Sequence, residues 1–211
     1  MLPFVALEGV DGSGKTTLAR NLSDALTQIG VPHTLTREPG GTNLGAHARK
    51  LLLDPAHAPT PTTELLLYAA DRAQHVEELI LPALEQGHTV ITDRYIGSTV
   101  AYQHYARGLP LDTILELNQL ATRGLKPDLT ILLDLEPHDA TARARARGEK
   151  DRLETDTLNR LHLIRHGYLQ QAKDDPTWLV LDANQHPEVL AMIALDRMSQ
   201  DEREPRMAKV A

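Results

Sequence analysis

Gly9-Val10-Asp11-Gly12-Ser13-Gly14-Lys15-Thr16 reads GxxxxGK[ST], the signature of a loop that wraps phosphate. Its neighbours supply the context the motif needs. Phe4-Val5-Ala6-Leu7 before it is a short apolar run of the kind that forms a buried parallel strand. After it, Leu18, Leu22, Ala25, Leu26 and Ile29 recur at helical spacing. The order is therefore strand, glycine-rich loop, helix. Glycines let successive backbone N–H groups turn inward at a helix N-terminus and form a nest for an anion. Lys15 adds a compact positive charge, and the Thr16 hydroxyl is placed to ligate Mg²⁺.

Composition narrows the options. The chain has 211 residues, 41% of them hydrophobic, enough for one domain with a sizeable core. Its formal net charge of −7 argues against a nucleic-acid backbone or an anionic membrane as the main partner. There is no cysteine, hence no disulfide framework or thiolate metal site. No apolar run approaches the roughly 20 residues that span a bilayer. The first strand follows Met1 too closely for a signal peptide, so a cytoplasmic protein is expected.

Outward from the loop, strands and helices alternate. Further strands are expected at His33 to Arg37, Thr89 to Thr92, Leu129 to Leu133 and Trp178 to Leu181. Between them lie a helix capped by Thr42 or Asn43 and a long helix from Thr60-Pro61 to about Glu85, bent near Pro82. A helix over Ser98 to Tyr105 and one ending near Arg123 follow. Next come a basic helix over Pro137 to Arg147, a helix from Leu153 to about Lys173, and a last one starting at Pro187. This alternation predicts an α/β fold with an open parallel sheet and helices on both faces. The whole is one domain over 1–198, with a lid over about 137–153 and a charged tail at 199–211. Ligands then belong at the C-terminal strand ends.

Several side chains converge there. Asp93 and Arg94 end the third strand. A carboxylate at that place holds Mg²⁺ through water, and an arginine forks onto a phosphate. Asp134, ending the fourth strand, is the rival Mg²⁺ ligand. Tyr68 and Arg72 are one helical turn apart and together could stack on a base and bond its edge; spacing alone fits a packed tyrosine beside a solvated arginine better. Arg143, Arg145 and Arg147 crowd cations onto one short helix, as a phosphate-closing lid requires, though a solvated charged helix fits the local pattern equally well. His162 and His166 share a helix face but lack a third ligand, and read as a surface pair. Trp178 reads as packing.

Together the segments ALEGVDGSGKTT (6–17), TREPGGT (36–42), LLLYAADRAQH (65–75), TDRYIGSTVAYQ (92–103), GLKPDLTILLDL (124–135) and RARARGEKDRLE (143–154) resemble the thymidylate kinase family, of the P-loop nucleoside-monophosphate kinases. The resemblance implies a P-loop NTPase three-layer fold with five parallel strands in the order 2-3-1-4-5. It implies ATP-dependent phosphorylation of dTMP to dTDP with Mg²⁺, in a homodimer. It implies that Gly9 to Thr17 (Gly9, Val10, Asp11, Gly12, Ser13, Gly14, Lys15, Thr16 and Thr17) bind ATP; Arg143, a turn back from Arg147 on the same helix face, is placed to stack on adenine.

By the same resemblance Tyr68 stacks on thymine and Arg72 bonds the base edge. Ser98, Tyr102 and Gln103 line base and sugar, and Asp11 accepts a hydrogen bond from the 3′-OH. Arg94 holds the dTMP phosphate, Arg37 and Glu38 shape its surroundings, and Thr16 and Asp93 serve the metal. Gly12 stands where some members carry an arginine, which assigns the catalytic cation to the lid: Arg147 first, with Arg145 able to serve either role. His104 stands where members commonly have glycine, which puts the local loop shape in question. Alternatives are another small-molecule or nucleotide P-loop kinase, or a nucleotide-binding switch.

Overall fold

The computed structural model describes residues 3–54, 56–147, 158–173 and 175–200, with the side chains of 144–147 outside the described part. In chain order the elements begin with β1 (Phe4–Glu8), α1 (Lys15–Gln28), β2 (His33–Arg37), α2 (Asn43–Leu53) and α3 (Pro61–His75). They continue with α4 (Leu81–Glu85), β3 (Thr89–Asp93), α5 (Ile96–Thr99), α6 (Leu111–Thr122) and β4 (Leu129–Asp134). The last are α7 (Pro137–Arg147), α8 (Leu158–Lys173), β5 (Trp178–Asp182) and α9 (Pro187–Ser199).

Among the described residues the five strands form one parallel sheet in the order β2-β3-β1-β4-β5. β1 is buried along its whole length, as a central parallel strand covered on both faces must be. Its alternation divides the core. Val5 and Leu7 pack with Leu18, Leu22 and Leu26 of α1 and Leu190, Ala194 and Met198 of α9. Phe4 and Ala6 pack on the other face with Val76, Ile80, Ala83 and Tyr95. The register sets Leu7 of β1 and Arg37 of β2 level with Asp93, so the strand ends that bear the predicted site share one edge.

Local rules account for most boundaries. Thr42 caps α2 by accepting from Gly45 N at 3.0 Å, and Thr60 caps α3 ahead of Pro61. The long helix expected to bend near Pro82 does so through a π-helical turn, Val76–Ile80. Proline has no N–H for the i−4 carbonyl, and the wider turn, with Leu81 N bonded to Val76 O, absorbs the mismatch. The helix expected over Ser98 to Tyr105 is instead one α turn, α5, followed by π-helix over Val100–Ala106. His104 settles the loop shape after it: its Nδ1 lies 2.8 Å from Leu109 O and closes the turn through Gly108. The helix expected from Leu153 is described from Leu158; the intervening residues, the rest of the lid and the tail beyond Gln200 lie outside the described residues. Trp178 packs as read, its ring so close to α5 that a Cβ at Gly97 would come within 2.9 Å of it.

Candidate active site

The loop after β1 takes its shape from glycine. Gly9 has φ 141°, and a Cβ there would sit 2.6 Å from Leu133 O. Gly12, at φ 86°, touches α7: a Cβ would meet Ala140 O at 3.0 Å. An arginine at this place would therefore strain the loop and push α7 away. Lys15 Nζ folds back on Gly9 O at 2.9 Å and Val10 O at 3.0 Å. The Ser13 hydroxyl is buried and without a partner among the described residues. Thr16 donates to Asp93 Oδ2 at 2.8 Å, joining the two residues expected to serve the metal. Asp134, the rival, is held by both oxygens to Arg165, at 2.7 and 2.9 Å.

Arg94 is the hub. It takes φ 77°, uncommon for a non-glycine residue and frequent at functional sites. Its guanidinium reaches Asp11 at 2.7 Å, Ser98 at 3.0 Å, Gly9 O at 3.1 Å and the hydroxyls of Tyr168 and Tyr102 at 3.0 and 3.3 Å. Beneath it, buried Glu8 accepts from Tyr95 N, Ser98 N, Ser98 Oγ and Tyr168 OH, capping the short α5. Burial pushes the Glu8 carboxyl up, opposed by the Ser98 hydrogen bond and the Arg94 charge.

Arg72 is buried, not solvated. It donates to Glu38 Oε2, Thr99 Oγ1 and Asn118 Oδ1, each at 2.8 Å, and to Tyr95 O at 3.0 Å. Four of its five N–H groups are thus committed. One cavity is lined by Tyr68, Arg72, Glu38, Arg94, Ser98, Tyr102, Gln103 and Asp11, with Arg49 and Leu53 of α2. A second, contiguous through Asp11, Glu38, Arg49 and Arg94, is lined by the phosphate loop, Arg37 and Asp93. A third lies between the loop and the turn after β5, bounded by Thr17, Arg143, Asn184, Gln185 and His186. Arg143 donates there to Ala183 O at 3.1 Å and Asn184 Oδ1 at 2.8 Å.

The three cavities lie side by side along the strand ends. The family model for thymidylate kinase matches residues 7–193. The chain belongs to the thymidylate kinase family. A thymidylate kinase of Carboxydothermus hydrogenoformans is 49% identical over 185 residues, covering 88% of this chain and 91% of that one. One from Prochlorococcus marinus strain MIT 9313 is 49% identical over 192 residues, covering 88% of each. The crystal structure of thymidylate kinase from Ehrlichia chaffeensis superposes with a TM-score of 0.74 at 31% identity, over 92% of this chain and 97% of that one.

Within this kinase fold the residues expected at the site gather, apart from two. Arg145 and Arg147 stand on α7, but their side chains lie outside the described residues. His162 and His166 belong to no group of three or more possible metal ligands among the described residues; His166 instead meets the Tyr105 ring edge-on at 5.6 Å. Sequence reasoning missed Arg49, Glu8, Tyr168 and the turn after β5. Glu8 carried a signal, a carboxylate in an otherwise apolar strand just ahead of the loop. The others reach the site from distant elements with no local motif.

Two titrations can be checked. Burial, with Arg94 adding, pushes Lys15 down to about 8, against Asp11, Asp93 and Glu8. The free protein therefore loses this cation as pH rises through about 8, whereas bound phosphates hold the proton on. kcat/KM for ATP is expected to fall above about pH 8 while kcat persists to higher pH; parallel pH profiles of the two would contradict it.

Asp71, fully buried, accepts from Gly40 N at 3.0 Å through Oδ1, while Oδ2 has no hydrogen-bond partner among the described residues. Burial, then the Glu38 charge, pushes it up to about 6. An acid raised in the folded state contributes stability below its unfolded value, and that stability is lost as pH rises through 6. Asp71→Asn is expected to raise Tm at pH 8, where roughly 2 kcal/mol corresponds to about 4–8 °C, and to change nothing near pH 3.5. A Tm shift independent of pH in thermal melts would contradict it.

Proposed function

We propose that the protein transfers the γ-phosphoryl group of ATP to dTMP, giving ADP and dTDP. Family membership supports the reaction, and the layout of charge along the strand ends supports the assignment of each substrate. ATP phosphates lie on the loop 9–17, with Lys15 and the orphaned Ser13 hydroxyl as donors, and adenine in the cavity by Arg143 and Asn184. dTMP lies in the cavity beyond Arg94, its base on Tyr68 and its edge facing the last N–H of Arg72. Arg94, Arg37 and Arg49 surround the acceptor phosphate between them.

An acceptor phosphate oxygen attacks the γ-phosphorus while the bond to the β–γ bridging oxygen breaks. That oxygen is already anionic, so the protein's work is positioning and neutralising charge. Thr16 and Asp93, a hydroxyl and a carboxylate in contact beside the loop, are the residues that would hold Mg²⁺. When bound, the ion supplies charge neutralisation at the phosphates. The lid helix α7 supplies Arg147 or Arg145 as the transfer cation. A cytoplasmic homodimer completes the reading. Exposed Leu44 and Leu51 of α2, Leu66 of α3, and Leu115 and Leu120 of α6 lie on three helices packed in succession and fit a second copy.

The observation that carries the acceptor assignment is the buried Arg72, presented to the cavity next to Tyr68. Arg72→Ala is expected to raise KM for dTMP by about tenfold to a hundredfold, the scale of a lost hydrogen bond from a charged donor, with KM for ATP nearly constant. An equal rise in both constants would remove Arg72 from the acceptor site.

A further inference from the structure

The chemistry of base choice runs one residue deeper than the cavity wall. Glu64 lies one turn before Tyr68 on the same face of α3 and is 1% exposed. Its Oε1 accepts from Gln103 Nε2 at 2.9 Å. Arg107 grips both its oxygens, Nε to Oε1 and Nη2 to Oε2, each at 3.2 Å. A carboxylate offers only acceptors, so it dictates which end of the neighbouring amide it meets. Gln103 must turn its NH₂ toward Glu64, and its Oε1 away from it. That oxygen accepts no hydrogen bond from the described residues. Gln103 is 1% exposed and lines the base cavity.

We propose that Glu64 is a specificity-determining positioning residue: it locks the Gln103 amide with its oxygen facing the base, so that the site accepts pyrimidines bearing an N3–H and rejects cytosine. The inference rests on the assignment of this cavity to the acceptor base. Thymine and uracil present N3–H, a donor, beside O4, an acceptor. Gln103 Oε1 matches the first and the remaining N–H of Arg72 the second. Cytosine reverses both, with a lone pair at N3 and an amino group at C4. Each reversed contact leaves two like groups facing one another in a buried site, the arrangement that gives strong rejection. Without Glu64 the Gln103 amide can turn over and offer its NH₂ to the cytosine N3.

The test uses steady-state kinetics of the full chain with dTMP, dUMP and dCMP at saturating ATP. Glu64→Gln is expected to lower the dTMP-to-dCMP ratio of kcat/KM by about tenfold or more, through KM for the pyrimidine, with KM for ATP within about twofold of the parent. Arg107→Gln, which frees the Glu64 carboxylate to rotate, is expected to move the ratio the same way by less; it decides the matter alone if Glu64→Gln does not fold. In a Gln103→Ala background, Glu64→Gln is expected to leave the ratio unchanged, because the group it orients is gone. An unaltered ratio in both single variants overturns the proposal, as does an equal loss for dTMP and ATP or a further fall in the Gln103→Ala background. Failure of the base-cavity assignment has a different mark: Tyr68→Ala then leaves KM unchanged for all three acceptors.

Discussion

Lys15→Ala is expected to lower kcat by about 10³-fold or more and to leave the fold intact. The amine reaches from the first turn of α1 under the loop to Gly9 O and Val10 O. Within the loop 9–17 Lys15 is the one cationic side chain, since Gly12 carries none. Loss of Lys15 thus removes the point charge that follows the phosphoryl group as charge develops. Lys15→Arg is not expected to restore turnover, because a planar guanidinium cannot occupy the space of a compact ammonium between two carbonyls. Stability moves the other way. The ammonium is disfavoured by burial, its pKa pushed down to about 8, so removing it relieves a cost at neutral pH. Tm of Lys15→Ala at or above that of the parent, with turnover nearly gone, is the expected pair of results. Near-parent turnover in the folded variant would end the phosphate-loop reading.

Arg94→Ala is expected to lower kcat/KM for dTMP by about 10²–10³-fold while ATP binding, measured by displacement of a fluorescent analogue, stays within about threefold. Three supports fix this guanidinium: the Asp11 carboxylate, the Gly9 carbonyl, and the Ser98 and Tyr168 hydroxyls that Glu8 holds from beneath. They point a forked donor at the junction of the acceptor cavity and the phosphate loop. Arg94→Lys is expected to recover little, since one ammonium cannot span those acceptors. A loss smaller than tenfold for dTMP would place the acceptor phosphate elsewhere.

Much of this was legible in the chain because the relevant signals are local. GxxxxGK[ST] marked the first turn, and short apolar runs up to Leu7, Asp93 and Asp134 marked the strand ends. The central strands β1, β3 and β4 are almost wholly buried and read as short apolar runs, and all five strand limits came within a residue of those found, including the half-exposed edge strands β2 and β5. The two π-helical stretches were not legible. A π turn keeps the composition of an α-helix, and Val100–Ala106 differs from one only in how it meets α8, where Gly167 lets Tyr105 approach. The state of Arg72 was hidden for a related reason. Its i−4 neighbour Tyr68 is visible in sequence, but the acceptors that bury it come from four separate places in the chain, 38, 95, 99 and 118. The same holds for Glu64, whose partners at 103 and 107 make sense only once the π-helix lies against α3.

The most direct measurement of the central claim follows label from [γ-³²P]ATP into product with dTMP, AMP, GMP, CMP or dCMP as acceptor. Label is expected in dTDP, formed at least about a hundredfold faster than any other diphosphate. Comparable labelling of AMP or dCMP, or hydrolysis of ATP with no labelled acceptor, would contradict the account.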